Sequence, residues 1–103
     1  MLQNPVSLRQ IFKSMENKSR KVLIADDEPD ILEILKYNLL DQGYDVVTAK
    51  DGDEALEKAR RTMPDLVILD IMMPRKTGVE VCQIMRAQAI FKDTLIILSL
   101  IHI

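Results

Sequence analysis

Val22-Leu23-Ile24-Ala25, closed by Asp26-Asp27-Glu28-Pro29, is a short apolar run that stops abruptly in acid. It does not alternate with polar residues, as expected of a strand buried on both faces. Pro29 fits the first turn of a helix, where its missing N–H costs nothing. Asp30 and Glu33 suit the positive end of the helix dipole. Ile31, Leu32, Leu35 and Leu39 lie close to one helical stripe, with Ile34 at its flank. Gly43 stops that helix near its C-cap.

The same strand-then-helix unit recurs downstream. Asp45-Val46-Val47-Thr48-Ala49 reads as a second strand. Asp51 can cap the next helix, with Glu54 as a capping-box partner. Ala55, Leu56 and Ala59 give that helix an apolar face, and Pro64 bars it from continuing. Leu66-Val67-Ile68-Leu69 is a third strand, ended by Asp70. Thr77 and Glu80 form a second capping-box pattern, predicting a helix through about Gln88 with Val81, Cys82 and Met85 inward. Leu95-Ile96-Ile97-Leu98 is a fourth strand. The order β-α-β-α-β-α-β with short loops predicts a parallel, doubly wound α/β sheet with right-handed crossovers. Ligands in such sheets sit beyond the carboxyl ends of the strands, where the acidic residues cluster.

Composition narrows the function. A chain of 103 residues supports one small domain, and 48% hydrophobic with 29% charged residues is a globular balance. A net charge of −2 argues against bulk nucleic-acid binding. The lone Cys82 excludes an internal disulfide and a cysteine-based zinc site. With 4% aromatics and no Trp, stacking on bases or sugars is not the expected activity. No apolar stretch approaches the ~20 residues that cross a bilayer. Arg9, Lys13, Glu16 and Lys18 interrupt any signal-peptide core, so a cytoplasmic location and no membrane partner are expected. Residues 1–20 are expected to form an N-terminal extension outside the fold. Leu8, Ile11 and Phe12 have helical spacing there, and Met15 reads as a second start.

Asp26 and Asp27 follow the first strand, and Asp70 ends the third. A single Asp at a strand end is commonly a helix cap or a solvated loop residue. The joint pattern asks more. If strands one and three are neighbours, three carboxylates meet in a shallow cleft, and protonation or a cation must relieve their repulsion. Oxygen-only ligands favour a hard cation such as Mg²⁺.

These two stretches, Val22 to Pro29 and Leu66-Val67-Ile68-Leu69-Asp70-Ile71-Met72-Met73-Pro74 with Gly78 and Glu80 beyond, resemble the receiver domain of two-component response regulators. Gly43-Tyr44 and Ala49-Lys50-Asp51-Gly52-Asp53-Glu54-Ala55-Leu56 extend the resemblance. It implies a flavodoxin-like sheet of order 2-1-3-4 with three helices over residues 21–97. It implies that Asp70 is the phosphoacceptor. Asp27 and Asp70 would bind Mg²⁺ directly, Asp26 through a water, and Met72 through its backbone carbonyl. The implied partner is a sensor histidine kinase or a phosphotransfer protein, with phosphohistidine as donor. An effector domain, such as a winged-helix transcription factor, would contact DNA in place of this segment. A receiver is a signalling module and not an enzyme in the usual sense.

The chain departs from the family in its last residues. The family has five strands, a lysine after the fifth, and a Thr or Ser at the end of the fourth. Counting from Asp70 places that hydroxyl position at Leu100, one residue past Ser99. Leu98 to Ile103 can be encoded by CTG-TCT-CTT-ATA-CAC-ATC, which looks like a transposon end used as a sequencing adapter. Residues 98–103 are therefore expected to be a non-native tail on an incomplete receiver, with impaired phosphotransfer. The competing readings are a naturally shortened receiver, a non-catalytic pseudo-receiver that only binds partners, and a phosphatase-like hydrolase. The last usually has a second Asp two residues after its nucleophile, where this chain has Met72. Cys82 and the methionines are expected to pack, Arg75 and Lys76 to be solvated, and His102 to have no site role.

Overall fold

The computed structural model describes residues 20–99. The expectations for the first nineteen residues, for Leu100 as the hydroxyl position and for Ile101 to Ile103 lie outside those residues. The elements run β1 (Lys21–Ala25), α1 (Pro29–Asp41), β2 (Asp45–Ala49), α2 (Gly52–Thr62), β3 (Leu66–Asp70), α3 (Gly78–Arg86), a 3-10 turn (Ala89–Phe91) and β4 (Leu95–Ser99). All strand pairs are parallel, in the order β2-β1-β3-β4. The parallel, doubly wound arrangement is the one expected of the strand and helix alternation, and its flavodoxin-like strand order is the one that the resemblance implied. No helix among the described residues is long and apolar enough to cross a membrane.

Strand alternation divides the core between the two faces of the sheet. Leu23, Ala25, Val67 and Leu69 point to the side covered by α2 and α3, where Ala55, Ala59, Val81 and Met85 close the packing. Val22, Ile24, Leu66 and Ile68 point to the other side, where Leu39 of α1 and Tyr44 join them. β1 and β3 are the inner strands. Val22 to Ala25 and Leu66 to Leu69 are all at most 1% exposed, which is why both runs are apolar without alternation. Each fully buried Val, Leu or Ile contributes roughly 1.5–3 kcal/mol of transfer free energy.

The helix ends explain how the loops at the site are held. Gly43 takes φ 93° just beyond α1. Asp51 caps α2 by accepting the Glu54 N–H at 2.8 Å. Glu54, however, accepts from Lys50 N–H at 2.8 Å and not from the cap residue, so the box is shifted by one residue. At α3 the box is complete: Thr77 Oγ1 accepts from Glu80 N–H at 3.1 Å, and Glu80 Oε1 from Thr77 N–H at 2.9 Å. α3 ends at Arg86, two residues before the expected Gln88. Gln88 is extended, at φ −108° and ψ 125°, and the chain then makes a 3-10 turn that buries Phe91 completely. Arg86 secures this turn by donating to Phe91 O at 3.1 Å and Thr94 O at 2.7 Å. Helical periodicity alone does not reveal it, because its anchor is an aromatic ring packed against the sheet.

Candidate functional site

Parallel pairing of β1 with β3 brings the acidic residues together. Ala25 is level with Leu69, so Asp26 and Asp70 leave the two central strands side by side. Asp26 extends the ladder by donating its N–H to Ala49 O at 3.0 Å. Its side chain is fully buried, and Oδ1 accepts the Glu28 N–H at 2.9 Å. Its other oxygen, Oδ2, is buried with no hydrogen-bond partner. Asp70 is 3% exposed, and its Oδ1 accepts from Met72 N–H at 3.3 Å. Asp27 is exposed at the rim. One carboxylate oxygen from each of the three lies within 4.8 Å of the others.

The electrostatics follow from that geometry. Burial pushes the Asp26 carboxyl above the usual carboxylate value. The Glu28 N–H opposes the shift, while the charges of Asp70, Asp27 and Glu28 add to it. Among the described residues no Lys or Arg forms an ion pair with any of the three. Arg75 and Lys76, on the loop after β3, pair with Asp51 at 3.9 Å and Asp53 at 3.0 Å instead. Three converging carboxylates, one with an orphaned buried oxygen, make an all-oxygen donor set without a counter-charge. This set fits a small divalent cation such as Mg²⁺.

The loop from Ile71 to Thr77 borders the acidic group. Met73 is buried, whereas the Met72 side chain is 63% exposed, so any ligand role of Met72 falls to its backbone. Cys82 is half-buried against the core between the sheet and α2, as a packing residue. Ser99 is the direct ladder partner of Asp70, and Ile71 N–H donates to Ser99 O at 3.1 Å. A hydroxyl-bearing residue therefore stands beside Asp70 on the neighbouring strand.

Comparison with known proteins agrees with this architecture. Residues 22–101 match the family described as the response regulator receiver domain. Over 70 residues the chain is 51% identical to the alkaline phosphatase synthesis transcriptional regulatory protein PhoP of Bacillus subtilis, covering 68% of this chain and 29% of that protein. Over 75 residues it is 47% identical to the probable transcriptional regulator ycf27 of Pyropia yezoensis, covering 73% of this chain and 31% of that protein. The chain thus spans about 30% of the length of these curated relatives. Among solved structures, the chemotaxis response regulator CheY4 of Vibrio cholerae superimposes with a TM-score of 0.76 at 41% identity, over 79% of this chain and 68% of that one. The response regulator TrrA of Thermotoga maritima, solved in complex with Mg²⁺ and BeF, gives 0.71 at 47% identity, over 77% and 67%.

Proposed function

This chain belongs to the response regulator receiver domain family, and from that premise we propose that it accepts a phosphoryl group on Asp70 with the aid of Mg²⁺. One observation carries the reading: Asp70, nearly buried at the end of a central strand, shares a pocket with Asp26 and Asp27. In the proposed step an Asp70 carboxylate oxygen attacks the phosphorus of a phosphohistidine. The new O–P bond forms as the N–P bond breaks, and the imidazole nitrogen keeps the bonding pair. The product is an acyl phosphate, labile enough for a signal that must decay. Nucleophile and phosphoryl group are both anionic, so their approach needs charge compensation.

Asp27, Asp70 and the Met72 carbonyl are the proposed direct ligands of the cation, with Asp26 acting from its outer coordination. When bound, the cation supplies charge neutralisation and alignment for in-line transfer. The orphaned Asp26 oxygen and the absence of a basic partner among the described residues support this assignment. Residues 21–97 form the proposed receiver, with residues 1–20 outside it and Leu98 and Ser99 completing its fourth strand. The proposed partners of this chain, placed in the cytoplasm, are a sensor histidine kinase or phosphotransfer protein, and an effector domain that carries any DNA contact. The domain acts as a phosphorylated switch and not as a turnover enzyme. No Lys is paired with the acidic group among the described residues, so we expect this segment alone to phosphorylate slowly.

The test is incubation with a small-molecule phosphodonor and Mg²⁺, read by intact mass. Any phosphoryl increment should require Mg²⁺ and vanish in Asp70→Asn. An increment that persists in Asp70→Asn would remove Asp70 from the role.

A further inference from the structure

The loop after β3 is held at both ends by glycines against which the chain is packed too closely for a side chain. A Cβ on Gly78 would fall 2.3 Å from the Asp70 carbonyl oxygen. A Cβ on Gly52, in the first turn of α2, would fall 2.2 Å from the Lys76 carbonyl oxygen and 2.5 Å from the Lys76 Cβ. All three distances lie below the 3.0 Å that real Cβ contacts respect, and the nearest atom to each glycine is a backbone oxygen, which cannot swing aside. Gly52 N–H also faces Pro74 O at 3.4 Å. Lys76 N–H closes a tight turn on the same Pro74 O at 2.8 Å, with Arg75 at its centre in the left-handed region at φ 71°. That conformation crowds any residue that carries a Cβ. Two ion pairs, Lys76 with Asp53 and Arg75 with Asp51, cross the same joint. The tip of the loop is thus fastened to the start of a helix that supplies none of the three carboxylates.

We propose that Gly52, acting with the left-handed turn at Arg75, is a positioning residue for the cation site. By seating the loop tip against α2 it sets the path of Ile71 to Met73, and through it the placement of the Met72 carbonyl. This rests on the reading that the acidic group and Met72 hold a divalent cation.

The experiment is Mg²⁺ titration of the whole chain, followed by the ¹³C shift of the Met72 carbonyl, beside thermal melts without metal. Gly52→Ala should lower Mg²⁺ affinity about tenfold, the usual size of effects from groups behind the ligands. It should also reduce the Met72 response. Arg75 is 68% exposed, so its variants spare the core. Arg75→Gly and Arg75→Val lose the same charge, but only glycine accepts positive φ freely. Arg75→Gly should therefore bind Mg²⁺ about tenfold more tightly than Arg75→Val, which shares its loss of the Asp51 ion pair. If Gly52→Ala does not fold, the Arg75 pair decides alone. Equal affinity in Arg75→Gly and Arg75→Val would overturn the proposal, while loss of binding in Asp27→Asn would leave the cation site standing. Unchanged binding in both Asp27→Asn and Asp70→Asn would remove the cation site, and the positioning role with it.

Discussion

Asp26 shows how one residue carries an unfavourable state that a ligand can relieve. Its carboxyl is raised above the unfolded value of 3.8, with burial as the main cause. Below that value both folded and unfolded chains are protonated there, and the residue has no pH-linked effect. As pH rises through the folded value, the unfolded chain has already ionised, and folding loses stability that it does not regain at higher pH. Asp26→Asn should therefore stabilise the metal-free protein at neutral pH and leave it unchanged in strong acid. Melts in chelator across that range measure this, and an Asp26→Asn protein that is less stable at neutral pH would contradict it. Asp27 is exposed, so its removal should leave folding nearly unchanged. Asp27→Asn should nonetheless weaken Mg²⁺ binding by at least about tenfold if it is a direct ligand.

The elements on either side of the site differ in how they are secured. α3 begins in a complete capping box, and the loop that carries Met72 ends at its cap. Thr77→Ala should cost about 1 kcal/mol in denaturant unfolding, and Thr77→Ser much less, because only the hydroxyl acceptor matters. Phe91, on a turn of three residues, is fully buried in the core on the α2 and α3 side of the sheet. Phe91→Ala should cost about 3–5 kcal/mol, much of the stability of a small domain. An unfolding midpoint close to that of the parent chain would show that the turn is only a connector.

The whole molecule leaves apolar surface uncovered among the described residues. β4 has a strand neighbour on one side only, and Leu95 and Leu98 are 45% and 38% exposed. On α1, Ile34, Tyr37 and Leu40 are 50%, 64% and 44% exposed. An apolar edge strand without charge or proline invites pairing with another chain. Baring even ~400 Å² of apolar area at ~25 cal/mol per Å² would cost about 10 kcal/mol, comparable with the stability of a small domain. The isolated 103-residue chain is therefore expected to be oligomeric or aggregating. Sedimentation velocity measures this, and Leu95→Lys should shift the population toward monomer. A monodisperse monomer with a sharp two-state melt would refute the expectation.

The amino-acid sequence by itself determined what depends on neighbours along the chain. The apolar runs, the stops at Asp26, Asp70, Gly43 and Pro64, and the caps at Asp51 and Thr77 are all local signals. Each works within a turn or two of backbone, so element type and order were legible. The acidic residues were visible as strand-end residues for the same reason. Their meeting was conditional on β1 and β3 being neighbours, which the alternating pattern left open and family resemblance supplied. Parallel pairing across the intervening β2 and α2 decided it, because adjacency in a sheet depends on which faces the helices cover. Register was likewise a tertiary matter. Ser99 is the partner of Asp70 in the parallel ladder of β3 and β4, and the 3-10 turn before β4, with its buried Phe91, has no periodic signature. The seat of Lys76 on Gly52 was also invisible in the sequence, since a close approach of two backbones leaves only a glycine in each local reading.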